Sequence, residues 1–257
     1  MGRADTLLKA AVRTQVRRAF GVQKPHVLLA CMPKSASSFL ANALASLPGM
    51  VQCELSGRDP HKEQELDPAL CAYRDLQAYV AQQHVRYSEH SAQMIAEFNL
   101  TPVVLVRNLD DCVASIRDHA RQQPGKTYSW FPQHLSEMTD GDLEGYIVDF
   151  LIPWYVQFEV SWQKCPSAIW VHYDDVRTNT AQVLQRISRA ARISAADPMI
   201  DAAVQSAVTR GKRFNMGVSG RGHSIAPYAR ERIRSLLERY PHHQFRSAPG
   251  QQPQSAQ

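Results

Sequence analysis

Three short stretches of this chain combine charge, hydroxyls and glycine in ways that suit an anion. The first is Met32-Pro33-Lys34-Ser35-Ala36-Ser37-Ser38-Phe39, which follows the apolar run 26–31 and opens a helical pattern. A helix N-terminus offers N–H groups and a partial positive charge to phosphate-like anions. Lys34 adds a full charge, and Ser35, Ser37 and Ser38 add hydroxyl donors. The Walker pattern GxxxxGK[ST] is absent, and the competing reading is an ordinary strand-to-helix turn with a capping serine. In the second stretch Arg107 closes a strand pattern and Ser115 falls near the second turn of the helix that follows. A guanidinium binds phosphate oxygens in pairs through its planar fork; the competing reading pairs Arg107 with Asp110 or Asp111. The third stretch runs from Arg213 to Gly222. Its glycines let backbone approach a ligand, and Arg213 and Arg221 supply charge; a flexible surface loop is the alternative.

These stretches need elements to hold them. Residues 26–31, 79–84, 103–107 and 168–172 read as strands from their apolar or β-branched content. Helical patterns cover 4–20, Phe39–Leu47, Ser91–Phe98, Asp110–His119 (capped by Asn108 or Asp110), Thr180–Ala191 and Pro227–Tyr240. Leu143–Gln163 reads as one long helix, with Tyr146, Phe150, Trp154, Phe158 and Trp162 mostly four apart as a core-facing stripe. Residues 50–78 read as loop with short helix, and 122–142 as a surface lid or acceptor-binding segment. Strands alternating with helices predict an α/β fold with a central parallel β-sheet flanked by helices. Ligands of such sheets bind beyond the carboxyl ends of the strands, which singles out the loops at 32–38, 107–115 and 173–177. The expected organisation is a basic N-terminal helix over 1–24, one domain over 25–246, and a disordered Gln/Ser/Pro-rich tail over 247–257.

Composition narrows the function classes. The 257 residues are 44% hydrophobic and 21% charged, as in a soluble globular protein. The most apolar long stretch, 146–160, is interrupted by Asp149, Pro153 and Glu159, which argues against a membrane span. The N-terminus lacks the apolar core of a signal peptide. Cys31, Cys53, Cys71, Cys112 and Cys165 are odd in number and include no CxxC pair, which suits free thiols in a reducing, cytoplasmic compartment. No metal-ligand spacing occurs. Net charge is +5, part of it from Arg3, Lys9, Arg13, Arg17, Arg18 and Lys24. That run reads as a solvated helical face, or else as an arm making weak contact with an anionic membrane surface. No nucleic-acid partner is expected, and a moderate positive charge suits a polyanionic nucleotide.

Taken in order, these motifs resemble the PAPS-dependent sulfotransferases, bacterial members more than vertebrate cytosolic ones. Lys34, Ser35, Ala36, Ser37, Ser38 and Phe39 are similar to the family's 5′-phosphosulfate loop. Arg107 and Ser115 resemble its 3′-phosphate pair. Trp170–Val176 resembles the strand and turn whose tyrosine, here Tyr173, lies near the adenine. Arg213–Gly222 resembles the late loop over the 3′-phosphate and brings in Arg213, Asn215, Gly217 and Arg221. The chain departs from the family where Ala36 replaces Gly, Ser37–Ser38 replace a Thr pair and Phe39 replaces a frequent Trp. Asn-Met-Gly also stands for Arg-Lys-Gly, so Arg213 or Arg221 would have to substitute for the missing cations.

The resemblance implies a P-loop-like sulfotransferase fold. It also implies transfer of a sulfuryl group from 3′-phosphoadenosine-5′-phosphosulfate (PAPS) to an acceptor hydroxyl or amine, releasing adenosine 3′,5′-bisphosphate (PAP) without a metal. Lys34 would stabilise the transferring group. His84, ending the apolar run at 79–84 where the family's catalytic histidine follows a strand, would be the general base; His90 and Glu54 are the fallbacks. The acceptor, whether carbohydrate, lipid-linked molecule or small natural product, is not encoded in any pattern. A small-molecule kinase of related fold and a non-catalytic nucleotide-binding protein are the competing readings.

Overall fold

The computed structural model describes residues 12, 15–16, 19–21, 23–57, 64–122, 137–210 and 220–248. Five strands form one sheet: β1 (His26–Cys31), β2 (Val51–Cys53), β3 (Tyr79–Gln83), β4 (Thr101–Val106) and β5 (Ile169–His172). Their order is β2-β3-β1-β4-β5, and every pair is parallel. In register, Leu28 sits opposite Ala81 and Pro102, and Val106 opposite His172. From β1 the chain runs out to the edge strand β2, returns to β3 between them, and then crosses to β4 and β5 on the other side of β1. The reversal falls beside β1, so ligand-binding loops are expected at its carboxyl end.

The helices are α1 (Ser37–Ala45), α2 (Pro68–Arg74), α3 (Glu89–Glu97), α4 (Leu109–Gln122), α5 (Asp140–Phe150), α6 (Ile152–Trp162), α7 (Tyr173–Thr178), α8 (Thr180–Ala191), α9 (Asp197–Arg210) and α10 (Pro227–Glu238). A 3₁₀ turn, Arg221–Ser224, precedes α10. Strand periodicity sorts the core onto two faces. Leu28, Ala30, Val104 and Val106 pack with Val113, Ile147, Tyr155, Trp162 and Ile233. Val27, Leu29, Cys31, Val103 and Leu105 pack with Leu40, Leu44, Leu184 and Ala203. β1 is buried along its whole length, the signature of a central parallel strand covered on both faces. Among the described residues no helix is long and apolar enough to cross a membrane. All five cysteines are free and buried.

The structure corrects several expectations. The helix read over Leu143–Gln163 is two helices that meet at Leu151. Pro153 is the cause, because it has no N–H for the ladder and its ring crowds the carbonyl one turn back. The aromatic stripe is broken with it: Phe158 and Trp162 are buried, while Phe150 is 66% exposed. Residues 50–78 include the edge strand β2, and α9 is a further helix. The tail does not begin at 247. Ser247 is fully buried and Ala248 is hydrogen-bonded, so the packed domain runs through both. Most of the basic N-terminal segment and most of 122–142 lie outside the described residues; Val12, Gln15, Val16, Ala19 and Phe20 are helical.

Candidate functional site

The loop after β1 bends sharply. Lys34 and Ala36 both adopt left-handed backbone, with φ of 64° and 66°. Each costs an L-residue about 1–2 kcal/mol. Left-handed residues alternating along a turn converge backbone N–H groups into an anion-binding concavity, and such outliers cluster where function requires them. The Ser35 hydroxyl donates to Met32 O at 2.6 Å and braces the turn from inside. Ala36 is the N-cap of α1, and no side chain caps that helix. Ser37 accepts a hydrogen bond from Gln82 Nε2 of β3 at 2.9 Å, so its own proton is directed elsewhere. Ser38 is exposed, while Phe39 is 9% exposed and packs into the core under α1. From α6, the Tyr155 hydroxyl donates to Pro33 O at 3.2 Å.

His84 directly follows β3, the neighbour of β1. Its Nδ1 lies 2.8 Å from Cys31 O and 3.5 Å from Cys31 Sγ. A carbonyl only accepts, so Nδ1 carries the proton and Nε2 holds the lone pair of the neutral ring. Burial lowers the pKa of His84 from its usual 6.5, against the opposing pull of the Cys31 carbonyl. Burial also pushes the Cys31 thiol up to about 12, so the pair is a neutral thiol beside a neutral imidazole. The His84 backbone N–H donates to Gln64 Oε1 at 2.7 Å, and Trp162 Nε1 donates to Val85 O at 2.9 Å. The fallbacks are placed less well. His90 Nε2 is bonded to Leu66 O at 2.7 Å. Glu54 follows β2, two strand spacings from β1, about 10 Å.

Arg107 follows β4 and is 5% exposed. Its guanidinium donates to Lys34 O at 2.9 Å, which ties the β4 loop to the β1 loop. It lies 3.7 Å from Asp111 Oδ2 and stacks 4.0 Å from the Tyr173 ring centroid. Of the two readings of Arg107, the structure shows the pairing with Asp111; the guanidinium also faces the β1 loop. Tyr173, read as an adenine neighbour, is 4% exposed and turns its ring to Arg107. Ser115, 3% exposed, lies two turns into α4, on the side that also carries Asp111 and Asp118.

Of the late-loop residues, Arg213, Asn215 and Gly217 lie outside the described residues. Arg221 is described, and its guanidinium pairs with Asp118 of α4. Burial, then the neighbouring Arg107 and Arg117 guanidiniums, lower its pKa. Asp111 accepts from Gly222 N–H at 2.7 Å and from Gly220 N–H at 3.0 Å, and so holds this loop to the start of α4. A Cβ at Gly222 would stand 2.3 Å from Asp110 Cβ, so only glycine allows that approach.

Lys34, Ser35, Ala36, Ser37, His84, Arg107 and Tyr173 thus meet at one end of four neighbouring strands. Tyr155 and Gln82, which brace the β1 loop, carry no local signal in the sequence; Asp111, read there as a partner of Arg107, also holds Gly220 and Gly222. Among the described residues no group of His, Cys, Asp and Glu side chains gathers into a metal-holding set.

No family model and no curated protein matches this sequence. The fold does have solved counterparts. A mouse sulfotransferase, SULT7A1, complexed with PAP, superposes with a TM-score of 0.65 at 14% identity, covering 87% of this chain and 86% of that one. The sulfotransferase STF1 from Mycobacterium tuberculosis H37Rv superposes with a TM-score of 0.51 at 11% identity, covering 90% and 84%. The chain has the sulfotransferase fold, a P-loop-like α/β architecture around a five-stranded parallel sheet.

Proposed function

We propose that this chain is a PAPS-dependent sulfotransferase that sulfates a hydroxyl or amine of its acceptor and releases PAP. One observation carries the reading. The uncapped, left-handed loop at Lys34 is flanked by a histidine with a single open acceptor nitrogen after β3 and by a tethered arginine after β4. The mouse fold counterpart was solved with PAP.

PAPS supplies the electrophilic sulfur. The loop N–H groups, Ser37, Ser38 and Lys34 hold the 5′-phosphosulfate. Arg107 and Ser115 hold the 3′-phosphate, with Arg213, Asn215, Gly217 and Arg221 closing over it and Tyr173 and Phe39 at the nucleotide's flank. Arg221 enters this set through the charge it adds near Arg107, because its fork is already paired with Asp118. Nε2 of His84 accepts the acceptor's proton as the new S–O or S–N bond forms. The old S–O bond breaks towards the 5′-phosphate, and Lys34 neutralises the charge that develops there. A depressed pKa keeps His84 unprotonated, hence competent as a base, at neutral pH.

The test is transfer of labelled sulfuryl from PAPS across a panel of carbohydrate, lipid-linked and small natural-product acceptors, with and without excess EDTA. The reading predicts a sulfated product in both arms. Loss of activity in EDTA that Mg²⁺ restores, with ATP as the donor, points instead to a kinase.

A further inference from the structure

α6 grips the chain that follows α10. Glu159 has no exposed surface, yet its carboxylate accepts from the N–H groups of Arg246 and Ser247 and from the Ser247 hydroxyl. One turn on, Gln163 donates to Gln244 O at 3.0 Å and its Oε1 lies 2.9 Å from His243 Nδ1. The gripped segment is a strap, and its far side touches the nucleotide-binding end of the sheet. Ser247 O accepts from Leu109 N–H at 2.9 Å, and Ala248 O accepts from Asn108 Nδ2 at 3.2 Å. These two donors come directly after Arg107. With Nδ2 given to Ala248, Asn108 must present Oδ1 to the helix, where it accepts from Asp111 N–H at 3.2 Å. Asp111 in turn contacts Arg107 and holds Gly220 and Gly222.

A buried carboxylate carries a desolvation cost that an apolar contact avoids. What it adds is direction. Two consecutive N–H groups and a hydroxyl on one carboxylate fix the peptide planes of the strap, so its next carbonyls aim at the first turn of α4. We infer that Glu159 is a positioning residue for the 3′-phosphate site, acting through Ser247 and Ala248 on Asn108 and so on Arg107 and Asp111. The inference rests on the reading of Arg107 and Ser115 as the 3′-phosphate pair.

The experiment measures the affinities of PAP and of adenosine 5′-monophosphate, which lacks the 3′-phosphate, by calorimetry. It compares the full chain with Glu159→Gln, Ser247→Ala and the double variant. Gln at 159 keeps the shape but turns an amide donor towards one of the strap's donors; Ser247→Ala is the milder change and guards against misfolding. Glu159→Gln is expected to weaken PAP about tenfold, the loss of one charge-assisted hydrogen bond, and to leave the monophosphate within about twofold. Turnover at saturating PAPS stays close to wild type while its KM rises. The double variant is no weaker than Glu159→Gln alone, because both act along one path. Variants that melt earlier yet keep the wild-type ratio of the two affinities overturn the inference and leave Glu159 a structural residue. A wild-type chain that does not discriminate between the nucleotides overturns the 3′-phosphate reading, and this inference with it.

Discussion

Two helices start side by side at the carboxyl end of the sheet, α1 after β1 and α4 after β4, and their N-termini are treated oppositely. α1 has no side-chain cap and no acidic residue in its first turn, and it is entered through two left-handed residues. α4 is filled: Asn108 caps Asp111 N–H, Ser247 takes Leu109 N–H, and Asp110 and Asp111 occupy the first turn. The partial positive charge of a helix N-terminus attracts either an anion or the protein's own carboxylates. α1 leaves that charge without a side-chain partner, where the proposed 5′-phosphosulfate would sit. α4 gives it to Asp110 and Asp111, so in the proposed function the 3′-phosphate would be met by the side chains of Arg107 and Ser115. On that reading one helix start serves through main chain and the other through side chain.

Removing the chemistry at the open end should have the largest effects. His84→Ala is expected to lower kcat by about 10²–10⁴-fold while nucleotide affinity holds. The base must be neutral, so the wild-type rate falls as pH drops through the depressed His84 pKa, below its usual 6.5, and that acid limb is absent in the variant. A pH–rate profile with the limb intact in His84→Ala rules the histidine out. Lys34→Ala should cost about 10²–10³-fold in kcat, with a smaller loss in PAP binding, because its charge acts mainly on the transition state. Single-turnover rates with a near-normal kcat would remove the β1 loop from the chemistry.

At the filled end, Arg107→Ala should reduce the preference for a 3′-phosphate by about tenfold to a hundredfold, from the 1.5–3 kcal/mol of a charged hydrogen bond. Exchanging the character of the two ends sharpens the contrast. Ala36→Asp puts a capping carboxylate at the open N-terminus, in a backbone conformation that Asp tolerates. It should weaken PAP about tenfold with little loss of melting temperature. The smallest effect belongs to Ala36→Gly. It relieves left-handed strain, set against glycine's extra chain entropy, for a gain of roughly 0–1 kcal/mol on thermal unfolding.

The contrast also explains what the sequence made legible. β1 and β4 read clearly because buried parallel strands are continuous apolar runs, whereas β3 ends in Gln82 and Gln83 and gives a weaker pattern. β2 did not, because it is three residues long with Val51 and Gln52 exposed on the sheet edge. α9 escaped notice because its buried stripe, Ile200, Ala203 and Ala207, is narrow and holds one large residue. Lys34 and Arg107 could be placed because local motifs carry them. Their supports could not: Tyr155, Glu159 and Ser247 act across 122, 88 and 88 residues of chain. Ser247 reads as tail from its polar neighbours, while its buried N–H and hydroxyl are satisfied by the distant carboxylate of Glu159 and its carbonyl by Leu109 N–H.

In the proposed function this end of the sheet holds a nucleotide with phosphate at both its 5′ and 3′ positions. Calorimetric titration of the wild-type chain with PAP and with adenosine 5′-monophosphate decides the matter. PAP is expected to bind about tenfold to a hundredfold more tightly. Equal affinities, or no binding of either, would contradict it.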